Sequence, residues 1–430
     1  MVYEDLNVLD MAVILANIII AIVASLVMVP VLVWMERRCA GLIQDRLGPN
    51  RCHVGGFRIG GLVQSIADVV KLVFKEDFLP SHIKYTNYYL YAPSIVLAAS
   101  FLTFGVIPFA DDLIIDGKSY VMQVLPVDLG ILWFLAFAGL SVYGIIIAGW
   151  ASDNKYSILG GLRASAQVIS YEASMGLSLI ALLTMYNSIN LNDIVRYQGE
   201  LLFGFLPSWG ILLQPISFII FVFTAFAETN RTPFDIAEGE SEIVAGFHTE
   251  YSALRFGTFF VGEYVAMGAS SALIVVLFLG GYHLPYLNTE VLKSNLPLIS
   301  YALMVILAIF GYLFTRWISK NNIWPNPNDK RARETKVLVK VVPVIFILMI
   351  VGLFFVSTMN NPNSINIAVA IFQVIVFFIK LVFINFVYIW VRWTLPRFRY
   401  DQLQNFGWKM LLPISIANVF ITATIVVLVS

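Results

Sequence analysis

Long, uninterrupted apolar runs constrain this chain more than any other feature. Ten of them can be drawn, at 11–34, 89–109, 127–150, 167–187, 209–227, 258–281, 298–317, 340–359, 366–391 and 411–429. About 20 apolar residues in a helix cross the ~30 Å hydrocarbon core of a bilayer. In that core every backbone N–H and C=O must be satisfied internally, which leaves helices or closed barrels. Barrel strands alternate apolar and polar residues, and these runs do not. The expected fold is therefore all-α, a polytopic transmembrane helix bundle of about ten spans that forms a single integral membrane domain over residues 1–430. Charged residues make up only 13% of the chain, against about 25% in soluble proteins. Residues 1–10 carry Glu4, Asp5 and Asp10 but no Lys or Arg, so the first run reads as a retained helix rather than a cleaved signal.

Loop cations set the orientation. With the N-terminus outside, the inner loops collect Arg37, Arg38, Arg46, Arg51, Arg58, Lys155, Arg163, Arg231, Arg255, Arg392, Arg397 and Arg399, among others. The outer loops hold only Lys118, Arg196 and Lys293. The positive-inside rule then places both termini outside. Segment 59–75 is too short and too polar to span. Leu62, Ile66, Val69 and Val73 recur there at helical spacing, interrupted by Gln64, Asp68, Lys71 and Lys75. That pattern predicts an amphipathic helix in the inner interface, with a helix covering a soluble partner as the other reading.

Cys39 and Cys52 are too few for a cysteine-ligated cluster, and His53, His82, His248 and His283 are scattered. No redox cofactor or metal is expected on this chain. Lys+Arg and Asp+Glu both total 27, so there is no basic excess to suggest nucleic acid.

Three inner loops carry the chemistry. The first, WMERRCAGLIQDRLGPNR, interleaves Glu36, Arg37, Arg38, Gln44, Asp45, Arg46 and Arg51 around a Gly48-Pro49-Asn50 turn. This suits a paired network or a docking surface better than a simple membrane anchor. The second, DNKYSILGGLRASAQVISYE, leads into the fourth run and puts Glu172 near its inner end. A carboxylate in hydrocarbon costs ~2.5–3.5 kcal/mol and so should face the bundle or water. An interfacial Glu that merely reaches the headgroups is the plainer reading. The third, FAETNRTPFDIAEGESEIVAGFHTEYSALRF, holds Glu228, Arg231, Asp235, Glu238, Glu240, Glu242 and Glu250, with Glu263 just beyond. These acids alternate with Pro233, Phe234, Ile236, Ile243, Val244 and Phe247, as a solvated loop would not require. Crowded carboxylates in low dielectric cannot all ionise, which is the physical requirement for a proton relay. Glu172, Glu228 and Glu263 sit on the fourth, fifth and sixth spans and are expected to converge.

The segments ERR…GLIQDRLGPNR, ASDNKYSILGGLRASAQVISYE, AETNRTPFDIAEGESEIVAGFHTEYSALRF and VRWTLPRFRYDQL resemble, in order, those of the quinone-channel membrane subunit of respiratory complex I. The resemblance covers roughly residues 10–290 and 365–430. It implies a component of a proton-translocating NADH:quinone oxidoreductase in a bacterial inner membrane. Quinone is then the substrate, while FMN and iron–sulfur clusters lie in partner subunits. The implied partners are soluble iron–sulfur and quinone-site subunits on the inner face, and small and antiporter-like subunits in the membrane. Carried over by motif, Glu36, Arg37, Gln44, Arg46, Asp68, Arg231, Phe234, Asp235, Arg397 and Arg399 would line or support the quinone chamber. Glu172, Glu228, Glu238, Glu240, Glu242 and Glu263 would form the proton-coupling acids. The family core has eight spans. The surplus pair, within 298–359, is expected to form an added peripheral hairpin remote from the chamber. The equivalent component of a membrane-bound hydrogenase or formate hydrogenlyase is the alternative from close kin. An autonomous ion or substrate transporter is the alternative from another class.

Overall fold

The computed structural model describes residues 8–202, 204–321 and 330–429. Each of the ten apolar runs lies largely in helix. Helices α1 (Val8–Ile43), α4 (Gly130–Ala151), α5 (Lys155–Tyr186), α7 (Ala253–Phe278), α8 (Leu296–Asn321), α9 (Lys330–Ser357), α10 (Pro362–Thr394) and α11 (Tyr400–Leu428) contain stretches long and apolar enough to cross a membrane. The other two apolar runs form helices that fall short of that measure: α3 (Thr86–Phe104), whose first turns are polar and tyrosine-rich, and α6 (Pro215–Glu228), which has only 14 residues. A separate four-residue helix, Gly210–Leu213, precedes α6, and Pro215 restarts the helix.

Helix α7 is the centre of the bundle, with 78% of its apolar window buried. Lipid is as apolar as leucine, so helices here associate through close packing of small residues. A Cβ at Gly144 of α4 would lie 2.5 Å from Val96 of α3, and one at Gly262 of α7 would lie 3.0 Å from the same side chain. These two glycines allow α4 and α7 to close on α3 from either side. Where α7 unwinds, the Lys380 ammonium, near the middle of α10, donates to the carbonyls of Leu279, Gly281 and His283.

Segment 59–75 forms a short 3-10 turn, Ile59–Gly61, followed by α2 (Val63–Phe74). Val63 and Ser65 are buried and Leu72 packs on Gly257 of α7, while Ile66, Val69, Val73 and Phe74 are exposed. The amphipathic helix expected from the sequence is present, with its apolar residues free to enter the interface.

The pair α8–α9 packs mainly on itself, with Phe346 filling the space beside Gly311. None of the apolar window of α9 is buried. Leu292, Leu296 and Val369 join the pair to α10 at the outer end. At the opposite end of the pair, Glu334 of α9 forms a buried ion pair with Arg58, in the loop that follows residues 36–51. Residues 322–329 of the connecting linker lie outside the described residues.

Candidate functional site

Residues of the first and third charged segments meet α7 and α10 at one place, and Glu36 is its hub. This carboxylate, buried on α1, accepts the Tyr264 hydroxyl of α7 at 2.5 Å and Arg231 Nη1 at 3.2 Å through one oxygen. Its other oxygen lies 2.8 Å from Arg392 Nη1 on α10. The Arg231 guanidinium sits 4.0 Å from the centroid of the Tyr264 ring, a cation–π distance. One carboxylate thus joins α1, α7, α10 and the loop after α6. Tyr264 and Arg392 were missing from the site as read from the sequence. Tyr264 looked like another core aromatic, and Arg392 counted only as an inner-face cation.

The loop after α6 folds inward because its polar backbone finds partners. Gln167 on α5 donates its amide to the carbonyls of Ala227 at 2.6 Å and Phe234 at 2.7 Å. The Phe398 N–H donates to the Pro233 carbonyl at 3.1 Å, bringing the last inner loop alongside. Phe234 is fully buried between Tyr171 and Phe398. Asp235 pairs with Arg397 at 2.6 Å. Burial, with the Glu238 carboxylate nearby, nonetheless raises Asp235 to about 7, against the opposing pull of Arg397. The ion pair is short, but Arg397 and the more distant Arg392, both partly exposed, do not offset burial plus a like charge.

The acids form two groups rather than one convergent trio. Glu172 of α5 and Glu228 of α6 face each other across a cavity of about 10 Å³ lined also by Tyr171 and Thr224, the space of one water. Glu263 of α7 instead lies near Glu238, Asp235 and Arg231. Glu242 is at the surface, paired with Arg163 at 2.7 Å. The side chain of Glu240 lies outside the described residues.

The remaining candidates are more peripheral. Arg37 pairs with Asp68 of α2, fixing that helix to α1. Arg46 donates to Gln44 at 2.6 Å, and both are exposed. Arg399 pairs with its neighbour Asp401, at 2.9 Å, on an exposed turn. Two buried donors of Arg231, Nε and Nη2, and one oxygen of Asp235 have no hydrogen-bond partner. Buried polar atoms are rarely left so. Among the described residues, no three His, Cys, Asp or Glu side chains are grouped to hold a metal ion.

Comparison with known proteins is consistent across the chain. The sequence pattern of the NADH dehydrogenase family matches residues 16–321 and 336–423, running through α8 and most of α9. The chain is 37% identical over 404 residues to NADH-quinone oxidoreductase subunit 8 of Rhodothermus marinus, covering 93% of each chain. It is 38% identical over 422 residues to the H-lettered component of NADH-quinone oxidoreductase in Bdellovibrio bacteriovorus, covering 94% of this chain and 93% of the relative. It is 36% identical over 411 residues to the component of the same name in Flavobacterium johnsoniae, covering 95% and 93%. Taken with the eight helices long and apolar enough to cross a membrane, these matches show that the chain belongs to the NADH dehydrogenase family, as the H-lettered membrane component of NADH-quinone oxidoreductase, respiratory complex I.

Proposed function

We propose that the Glu36 cluster forms part of the chamber that receives the quinone headgroup, and that the two acid groups begin the route coupling quinone reduction to proton movement. The observation that carries this reading is Arg231: its guanidinium is buried and held by Glu36 and Tyr264, yet presents two donors without partners among the described residues. A quinone carbonyl is an acceptor of the kind those donors lack. Reduction of a quinone there would change the local charge, to which the Asp235–Glu238–Glu263 group would respond by redistributing protons. The exposed pairs at Gln44–Arg46 and Arg399–Asp401 suit contacts with soluble subunits that carry FMN and iron–sulfur clusters. Glu172 suits the boundary with the small and antiporter-like membrane subunits. The cation distribution supports a bacterial inner membrane with both termini outside.

Glu228→Gln and Glu172→Gln, made in the whole complex, test the coupling. Glutamine keeps the shape but carries no exchangeable charge, so quinone-linked proton pumping is expected to fall in assembled complexes. Normal pumping and turnover in both variants would remove these acids from the route.

A further inference from the structure

We infer that Glu334, at the inner end of α9, is a positioning residue that clamps the turn feeding α2 into the quinone site; this rests on the reading of that site given above. Its carboxylate is 2% exposed. One oxygen accepts Arg58 Nε at 2.7 Å and the other accepts the Gly60 N–H at 3.0 Å. Arg58, itself buried, also donates to Asn50 of the Gly48-Pro49-Asn50 turn. The opposite edge of the Gly60 peptide is held from α1, where Trp34 Nε1 and Arg38 Nη2 donate to its carbonyl at 3.0 and 2.8 Å. One residue's peptide groups are thus gripped from two sides by elements far apart in the sequence.

The grip matters because the backbone there is unfavourable. Ile59, Gly60 and Gly61 have φ of +51°, +65° and +106°, and a Cβ at Gly61 would lie 2.6 Å from the Pro49 carbonyl oxygen. A β-branched residue at positive φ is a genuine outlier, and such conformations persist only where the surroundings over-determine them. The turn runs straight into α2, whose Asp68 pairs with Arg37 beside Glu36. A fully buried ion pair is poor glue but fixes register. The family's sequence pattern breaks at 322–335, so Glu334 falls outside it. Glu334 thus sits in the α8–α9 connection, against a loop that the family pattern includes.

The test compares Glu334→Ala, which removes both contacts, with Glu334→Gln, which keeps an acceptor for Gly60. Both are made in the assembled complex, with Asp68→Asn as a reference for the quinone path. Quinone KM and kcat are measured with a short-chain quinone, and hydrogen exchange is followed over 57–62. Glu334→Ala is expected to speed exchange there and to raise quinone KM about fivefold or more with kcat little changed. Glu334→Gln should do less, and NADH oxidation by an artificial acceptor should not change. Unchanged exchange overturns the clamp. Faster exchange with unaltered KM, while Asp68→Asn raises KM, overturns positioning but leaves the site reading intact. If neither Glu334 nor Asp68 variants move KM, the site reading itself fails. If the alanine variant does not assemble, the glutamine variant carries the same measurements.

Discussion

Glu36→Gln removes the one negative charge that serves two arginines. At an effective dielectric of about 20, unit charges at the 3.2 Å Arg231–Glu36 separation attract by about 5 kcal/mol. The Arg392 side chain is 27% exposed, so its pair is screened and adds at most about 1 kcal/mol. The amide retains part of the hydrogen bonding, but Arg231, with a side chain 3% exposed, is left as an uncompensated buried charge. Breaking a buried pair in this way costs about 3–5 kcal/mol. At roughly 2 °C per kcal/mol, the temperature at which the assembled complex releases this subunit should fall by about 5–10 °C. That release can be followed on native gels. The argument is about the orphaned charge, so it makes a second demand. Adding Arg231→Gln to Glu36→Gln should recover much of the loss, a strongly non-additive cycle. Strict additivity, or an unshifted release temperature in the single variant, would refute the account of Glu36 as the charge hub.

Other consequences are as specific. Arg46→Ala should change stability by less than about 0.5 kcal/mol, because the only described hydrogen bond of its side chain is to the exposed Gln44; a loss of quinone reductase activity with artificial-acceptor activity intact would then report a contact beyond this chain. Asp235, raised to about 7, binds its proton more tightly folded than unfolded, so its contribution to stability is full below about 4 and is lost as pH rises through about 7. Asp235→Asn should accordingly flatten any limb of the pH–rate profile near 7, and an identical profile in the variant would exclude Asp235 as its source. Gly246→Ala should prevent assembly, since its φ is +57° and a Cβ would fall 1.9 Å from the Ala237 carbonyl oxygen; recovery of normal amounts of complex would show that the inner loop has another stable path.

The spans were readable because lipid imposes one rule on every residue of a helix, and the amphipathic α2 because its period repeats every turn. The identities of the inner-loop acids and bases were readable too, since each sits in a short local motif. Their pairing was not. Glu36 meets Arg231 across 195 residues and Tyr264 across 228, and no local pattern encodes which partner a buried carboxylate will find. The expected convergence of Glu172, Glu228 and Glu263 assumed neighbouring spans bring their acids together. Burial of the loop after α6 instead draws Glu238 up to Glu263. Glu334 gave no signal at all, as one acid within a basic linker read as an anchor.

Glu172 has a consequence for how this chain sits in the bilayer. It is exposed on the flank of α5 where Gly139 of α4 leaves room for it. Fourteen residues separate it from the helix end at Tyr186, a rise of about 21 Å, so it lies well inside a helix that is long and apolar enough to cross a membrane. A copy of the chain without neighbours would show lipid a group that hydrocarbon tolerates badly. Covering that flank with a neighbouring helix would relieve the misfit, so an exposed acid at this position favours burial against a partner over isolation in lipid.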